Sequence, residues 1–179
     1  MPEPERHLVL VGLMGAGKTT VGELAAARLA RPFVDTDRLV EANAGMTVAE
    51  IFEHRGEAAF RALEHDAVAD ACASPAPLVI ACGGGAVLDA ANRRALRAAG
   101  VVVWLQASPA ELGARVATEA TGDRPLLRGG APAAATLERL TLLRAPAYEA
   151  AAHVTVNTDG LAVDDVADRV IEEWRAWNA

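Results

Sequence analysis

Two rhythms of apolar residues run along this chain. Short unbroken runs that end at glycine or at acids read as strands buried on both faces. They are "HLVLVG" (7–12), "PFVDTD" (32–37), "LVIAC" (78–82), "VVVWLQ" (101–106) and "HVTVNTDG" (153–160). Between them lie stretches of helical spacing. In "KTTVGELAAARLA" (18–30), Val21, Leu24, Ala25 and Leu29 share one face. Residues 38 to 72 read as helical, broken near Gly45 and Gly56, with Thr47 as an N-cap. "DAANRRALRAA" (89–99) is a helix, and "SPAELGARVA" (108–117) opens another, with Ser108 as N-cap and Pro109 in the first helical position. Residues 118–133, rich in glycine and proline, break all periodicity. "AATLERLTLLRAPAYEAA" (134–151) returns to helix with an interruption at Pro146, and "VDDVADRVIEEWRAW" (163–177) closes the chain. Strands alternating with helices predict a three-layer α/β domain, a parallel sheet with helices on both faces.

Composition narrows the function. With 179 residues, 52% hydrophobic and 23% charged, the chain suits one compact domain with a real core. A net charge of -7 argues against a nucleic-acid binder. Cys72 and Cys82 show no metal-ligand spacing and read as free thiols of a reducing compartment. His7, His54, His65 and His153 are scattered. No secretion signal opens the sequence, and "LVLVGL" falls far short of the about 20 apolar residues of a membrane span, so a cytoplasmic protein without membrane contact is expected.

The chemistry begins where the first strand ends. Gly12-Leu13-Met14-Gly15-Ala16-Gly17-Lys18-Thr19 matches G-x-x-x-x-G-K-[ST] and is followed by Thr20. Its glycines let successive backbone N–H groups face phosphate oxygens. Lys18 supplies a cation for the β- and γ-phosphates, the Thr19 hydroxyl suits Mg²⁺, and the helix N-terminus adds its dipole. This motif names a phosphoryl donor and says nothing of an acceptor.

Candidates for the acceptor side are weaker singly. Asp35 and Asp37 alternate at the end of the second strand, one residue apart, and are read with one toward a metal shell and one toward a substrate hydroxyl. A solvated strand end or a helix cap is the competing reading. Arg61 and Glu64 in "FRALE" stand at i, i+3, the spacing of an ordinary exposed pair. "GGGA", with Gly83, Gly84 and Gly85, ends the third strand, where open α/β sheets bind ligands. Arg124 in "GDRPLL" lies in the aperiodic stretch, and Arg144 in "LLRAPAY" on the next helix.

Taken together, "GLMGAGKTTVG", "DTD", "FRALE", "GGGA", "RPLL" and "RAPAYE" resemble, in order and spacing, the shikimate kinases, over about residues 8 to 175. The resemblance implies a P-loop, nucleoside-monophosphate-kinase-like fold with a five-stranded parallel sheet in order 2-3-1-4-5. It implies a single domain with a core at 7–36, 78–117 and 153–178, substrate-binding helices at about 37–72 and a mobile lid at about 118–131. The implied reaction moves the γ-phosphoryl of ATP to the 3-hydroxyl of shikimate, a step toward aromatic amino acids, in a monomer that requires Mg²⁺. By the same resemblance, Gly12, Met14, Gly15, Ala16, Gly17, Lys18, Thr19 and Thr20 hold the nucleotide. Thr19 ligates Mg²⁺, with Asp35 acting through water. Asp37 holds the shikimate hydroxyls and is a candidate base. Arg61 and Arg144 grip the carboxylate beside Gly83, Gly84 and Gly85. Arg124 reaches the phosphates from the lid, making Lys18, Asp37 and Arg124 the catalytic set, and Arg115 packs near adenine. The chain departs from the pattern in a longer stretch between Arg115 and Arg124, and in Gly160 and Leu161 where some relatives carry a basic residue. Two other readings compete: a gluconate, nucleotide or cyclitol kinase of the same fold, and a module that binds ATP without turnover.

Overall fold

A computed structural model describes residues 6–118 and 132–179. Five strands form one fully parallel sheet: β1 (His7–Val11), β2 (Phe33–Asp35), β3 (Val79–Ala81), β4 (Gly100–Gln106) and β5 (Val154–Asn157), in order β2-β3-β1-β4-β5. Seven α-helices are described, besides a single 3-10 turn at Ala86–Leu88: α1 (Lys18–Leu29), α2 (Thr36–Ala44), α3 (Val48–Cys72), α4 (Ala90–Ala99), α5 (Pro109–Thr118), α6 (Ala133–Ala151) and α7 (Val163–Asn178). The order 2-3-1-4-5 expected from the resemblance is the order found.

The short strands are apolar throughout because both faces are covered. Leu8, Val9 and Leu10 of β1, and Val101, Val102 and Val103 of β4, are fully buried. Register then assembles the site. Leu10 pairs with Ala81, Val11 with Trp104, and Asp35 with Ala81, so Gly12, Thr36 and Cys82 leave the sheet side by side at its carboxyl edge.

Helix boundaries follow their caps. Thr47 and Glu50 form a full capping box at the start of α3. Glu111 N donates to Ser108 Oγ at the start of α5 (3.3 Å), as the sequence predicts. Gly45 ends α2 in the left-handed region, and Gly56 kinks α3. A second, smaller core of Val40, Ile51, Phe60 and Ala67 locks α2 onto α3.

Two expectations are corrected. α6 runs unbroken through Pro146. Proline removes the bond to the carbonyl of Leu142, one turn back, and Leu142 is the most exposed of the large apolar residues described, so the chain continues on the contacts of its buried face. Second, β2 stops at Asp35, and Asp37 lies in the first turn of α2, so the two acids do not alternate along a strand. Asp35 Oδ1 accepts from Asp37 N (3.0 Å) and Arg38 N (3.3 Å) as a helix cap.

Candidate active site

The P-loop takes the shape its glycines allow. Gly12 has φ 153°, and a Cβ there would sit 2.6 Å from the Leu105 carbonyl oxygen, so no other residue fits between β1 and β4. A tight turn follows, with Ala16 N donating to Leu13 O (3.1 Å), and Gly17 (φ 88°) hands the chain to α1. Lys18 Nζ donates to Leu13 O at 2.9 Å, folding the ammonium back across the loop. Met14 is half-buried against the core and Thr20 is exposed beside Thr19.

Thr19 Oγ1 donates to Asp35 Oδ2 at 2.8 Å. Asp35 thus caps α2 with one oxygen and meets the P-loop with the other. A hydroxyl next to a carboxylate, both oxygen donors, fits Mg²⁺. Among the described residues no three His, Cys, Asp or Glu side chains cluster as metal ligands, so a metal here would draw its remaining ligands from phosphate oxygens and water.

Across the crevice a second set converges on the three glycines. Gly83 N donates to Thr36 Oγ1 (3.0 Å), tying the end of β3 to the start of α2. A Cβ on Gly83 would lie 2.5 Å from Asp37 Oδ1 and 2.8 Å from Glu64 Oε1, so this wall must be bare. On Gly85 a Cβ would overlap the Arg61 guanidinium, and on Gly84 it would touch Arg144 Nη1 at 3.5 Å. Arg61 Nη1 donates to Glu64 Oε2 (2.7 Å) and Arg61 Nη2 to Glu57 Oε1 (3.2 Å). Asp37, Arg61, Gly83, Gly84, Gly85 and Arg144, which the sequence scatters over more than half the chain, therefore form one wall.

Three enclosed atoms on this wall have no hydrogen-bond partner among the described residues: Asp37 Oδ1, Glu64 Oε1 and Arg144 Nε. Buried polar atoms are rarely left so, and here they mark a place that takes a polar ligand. Burial, then the charges of Asp35 and Glu64, push the Asp37 carboxyl up to about 6 against the pull of Lys18. Burial also raises Glu64, opposed by Arg61.

Glu64 is the residue that sequence reasoning left out. The expected exposed i, i+3 pair is present, but Glu64 is 2% exposed, held between α3 and the glycine wall. Its charge is therefore expressed in a dry site, where it weighs more than at a surface.

Arg115 lies on α5, the helix whose Leu112 and Val116 crowd Gly15 of the P-loop. Its guanidinium donates to Thr158 Oγ1 and Thr158 O (3.0 Å each) and to Glu111 Oε1 (3.1 Å), fixing it to the turn after β5. Gly160 and Leu161 complete that turn, and Leu161 N donates back to Thr158 O. Arg124 and the expected lid tip lie outside the described residues.

The family model described as shikimate kinase matches residues 14–175. The shikimate kinase of Symbiobacterium thermophilum is 52% identical over 167 residues, covering 93% of this chain and 95% of that protein. The chain belongs to the shikimate kinase family. A solved shikimate kinase of Acinetobacter baumannii in complex with shikimate superposes with a TM-score of 0.89 at 37% identity, covering 96% of this chain and 93% of that one. A gluconokinase from Sinorhizobium meliloti 1021 shares the fold, at a TM-score of 0.58 and 18% identity. The family match spans the glycine wall and the helices around it, residues 14–175, whereas likeness to the gluconokinase is one of fold.

Proposed function

We propose that this chain transfers the γ-phosphoryl of ATP to the 3-hydroxyl of shikimate, giving shikimate 3-phosphate and ADP. The observation that carries the reading is the wall on which Asp37, Arg61 and Arg144 converge at Gly83, Gly84 and Gly85, with Gly84 set against the P-loop backbone at Gly12 and Met14. A small cyclic acid with hydroxyls is complementary to it. The two guanidiniums suit one carboxylate, and the carboxylate of Asp37 suits a hydroxyl that must lose its proton.

In this reading the N–H groups of Gly15, Gly17 and Lys18 and the Lys18 ammonium grip the β- and γ-phosphates, and Lys18 turns from Leu13 O toward them. Thr19, with Asp35 through water, would hold Mg²⁺, which when bound neutralises phosphate charge. Asp37 Oδ1 accepts the hydrogen of the attacking hydroxyl, orients its oxygen toward the γ-phosphorus and takes the proton as the O–P bond forms. The bond to the β-phosphate oxygen breaks and its electron pair leaves with ADP. Arg115 lines the adenine side from its anchor on Thr158, and Arg124 joins the phosphates from the segment at about 118–131. A cytoplasmic monomer completes the proposal. A cyclitol without a carboxylate would leave Arg61 and Arg144 unanswered, and a passive ATP-binding module has no use for a carboxylate held near pH 6.

ADP release measured across shikimate, gluconate, a neutral cyclitol and nucleoside monophosphates tests the reading. Shikimate should support Mg²⁺-dependent turnover and the others only background hydrolysis. Comparable turnover with gluconate or a nucleotide would overturn it.

A further inference from the structure

Tyr148 is not itself among the residues assigned to substrate, yet it bears on two that are, Gly84 and Arg144. Its ring is 1% exposed and stacks on Trp104 of β4, with centroids 5.4 Å apart and planes at 20°. Its hydroxyl donates to the carbonyl oxygen of Gly84.

Gly84 is where the two halves meet. A Cβ on it would lie 3.5 Å from Arg144 Nη1, 3.6 Å from Gly12 O and 3.6 Å from Met14 N. This glycine thus abuts the acceptor arginine on one side and the P-loop backbone on the other. Arg144 stands one helical turn before Tyr148 on α6, is 5% exposed and bears on the same phenol. Burial pushes the phenol up to about 12 against the pull of Arg144, so the hydroxyl keeps its proton and remains a donor at any working pH.

We propose that Tyr148 is a positioning residue: its hydroxyl bond to Gly84 fixes the glycine wall and the Arg144 guanidinium in register with the phosphate cradle. It thereby sets the affinity for the acceptor acid without contacting it. The inference rests on the reading of this wall as the shikimate site. The competing account is a core tyrosine whose hydroxyl is satisfied by the nearest carbonyl. That account predicts lost stability and nothing specific to shikimate.

Tyr148→Phe keeps the ring and its stack and removes only the hydroxyl, with its bond to Gly84 O and its contact with the Arg144 side chain. Trp104→Phe shrinks the stack and keeps the hydroxyl. Both are compared with the wild type in KM for shikimate, KM for ATP, kcat and melting temperature. Tyr148→Phe should raise the KM for shikimate by roughly five- to tenfold, the scale of one lost buried hydrogen bond, with kcat and the KM for ATP little changed. Trp104→Phe should lower the melting temperature at least as far and leave the KM for shikimate where it was. Equal effects on the KM for shikimate in the two variants would overturn the inference, as would a Tyr148→Phe enzyme with wild-type KM. If Tyr148→Phe does not fold, a raised KM for shikimate in Trp104→Phe still overturns it and an unchanged KM supports it. A wild type that phosphorylates no shikimate overturns the functional reading itself, a result distinct from any of these.

Discussion

Asp37 carries a conflict between stability and function. Its carboxyl is ionised at neutral pH in a place that burial, Asp35 and Glu64 make hostile to charge. The folded group titrates near 6 where an ordinary aspartate titrates near 3.8. Folded protein therefore holds this proton more tightly than unfolded chain, and the stabilisation this gives is complete below about pH 4 and gone above about pH 6. Asp37→Asn is neutral at every pH and keeps the relief. At pH 7 it should be more stable than the wild type, by up to about 3 kcal/mol, while its kcat falls by about a hundredfold or more. Thermal melts and steady-state kinetics on the same preparation check both signs. Arg61→Lys is the complementary change. It keeps the charge and loses the planar fork, so the KM for shikimate should rise while kcat changes less and ATP binding stays as it was. A raised KM for ATP alone would move both residues to the donor side.

Elements place these residues, and two tests belong at that scale. The P-loop depends on the close approach of Gly12 to the carbonyl of Leu105. Gly12→Ala must push β1 from β4 or unwind the loop, at a cost of roughly 2 kcal/mol or more, and should lower both the melting temperature and nucleotide affinity. At the opposite end of the sheet, two histidines serve as backbone acceptors. Leu78 N donates to His7 Nδ1 and Val102 N to His153 Nδ1, each at 3.0 Å. Both imidazoles must stay neutral to accept. Burial lowers both, reinforced at His7 by Arg31 and at His153 by Arg97 and Arg6, and offset at His7 by the Cys72 carbonyl. The unfolded chain, with histidine near 6.5, takes up these protons first. The stability they contribute is thus present above pH 6.5 and is lost as pH falls below it. In the Asp37→Asn background, where the opposing gain from Asp37 protonation is gone, melting temperature should drop between pH 7 and 5, and adding His153→Gln should flatten that drop. A fall that is identical with His153→Gln added would show that other groups drive it.

Over the whole molecule, what was legible in sequence was what local pattern controls. Glycine and lysine spacing marked the cradle, buried runs marked the strands, and the resemblance carried by six short motifs implied the sheet order found and a set of residues that the fold brings to one wall. What was hidden depends on packing between distant segments. Nothing in "FRALE" says that Glu64 is buried while Glu57, two turns earlier, stays exposed, because that is decided by where α3 meets Gly83. The strand assignment of Asp37 failed because Asp35 supplies a cap strong enough to start α2 immediately. Proline's local penalty predicts a break at Pro146, and the packing of Tyr148, Leu140 and Leu137, invisible in the local pattern, holds α6 together. The role of Tyr148 follows from a carbonyl that lies far away in the chain.

The central claim is that one crevice joins an ATP cradle to a wall built for the carboxylate of shikimate. The most direct test is kcat/KM for shikimate against its methyl ester at saturating ATP and Mg²⁺. The ester keeps every hydroxyl and loses the charge that Arg61 and Arg144 would share. Removing two charge-assisted hydrogen bonds should lower kcat/KM by about a hundredfold or more, with the KM for ATP unaltered. An ester phosphorylated as well as the acid would contradict the account.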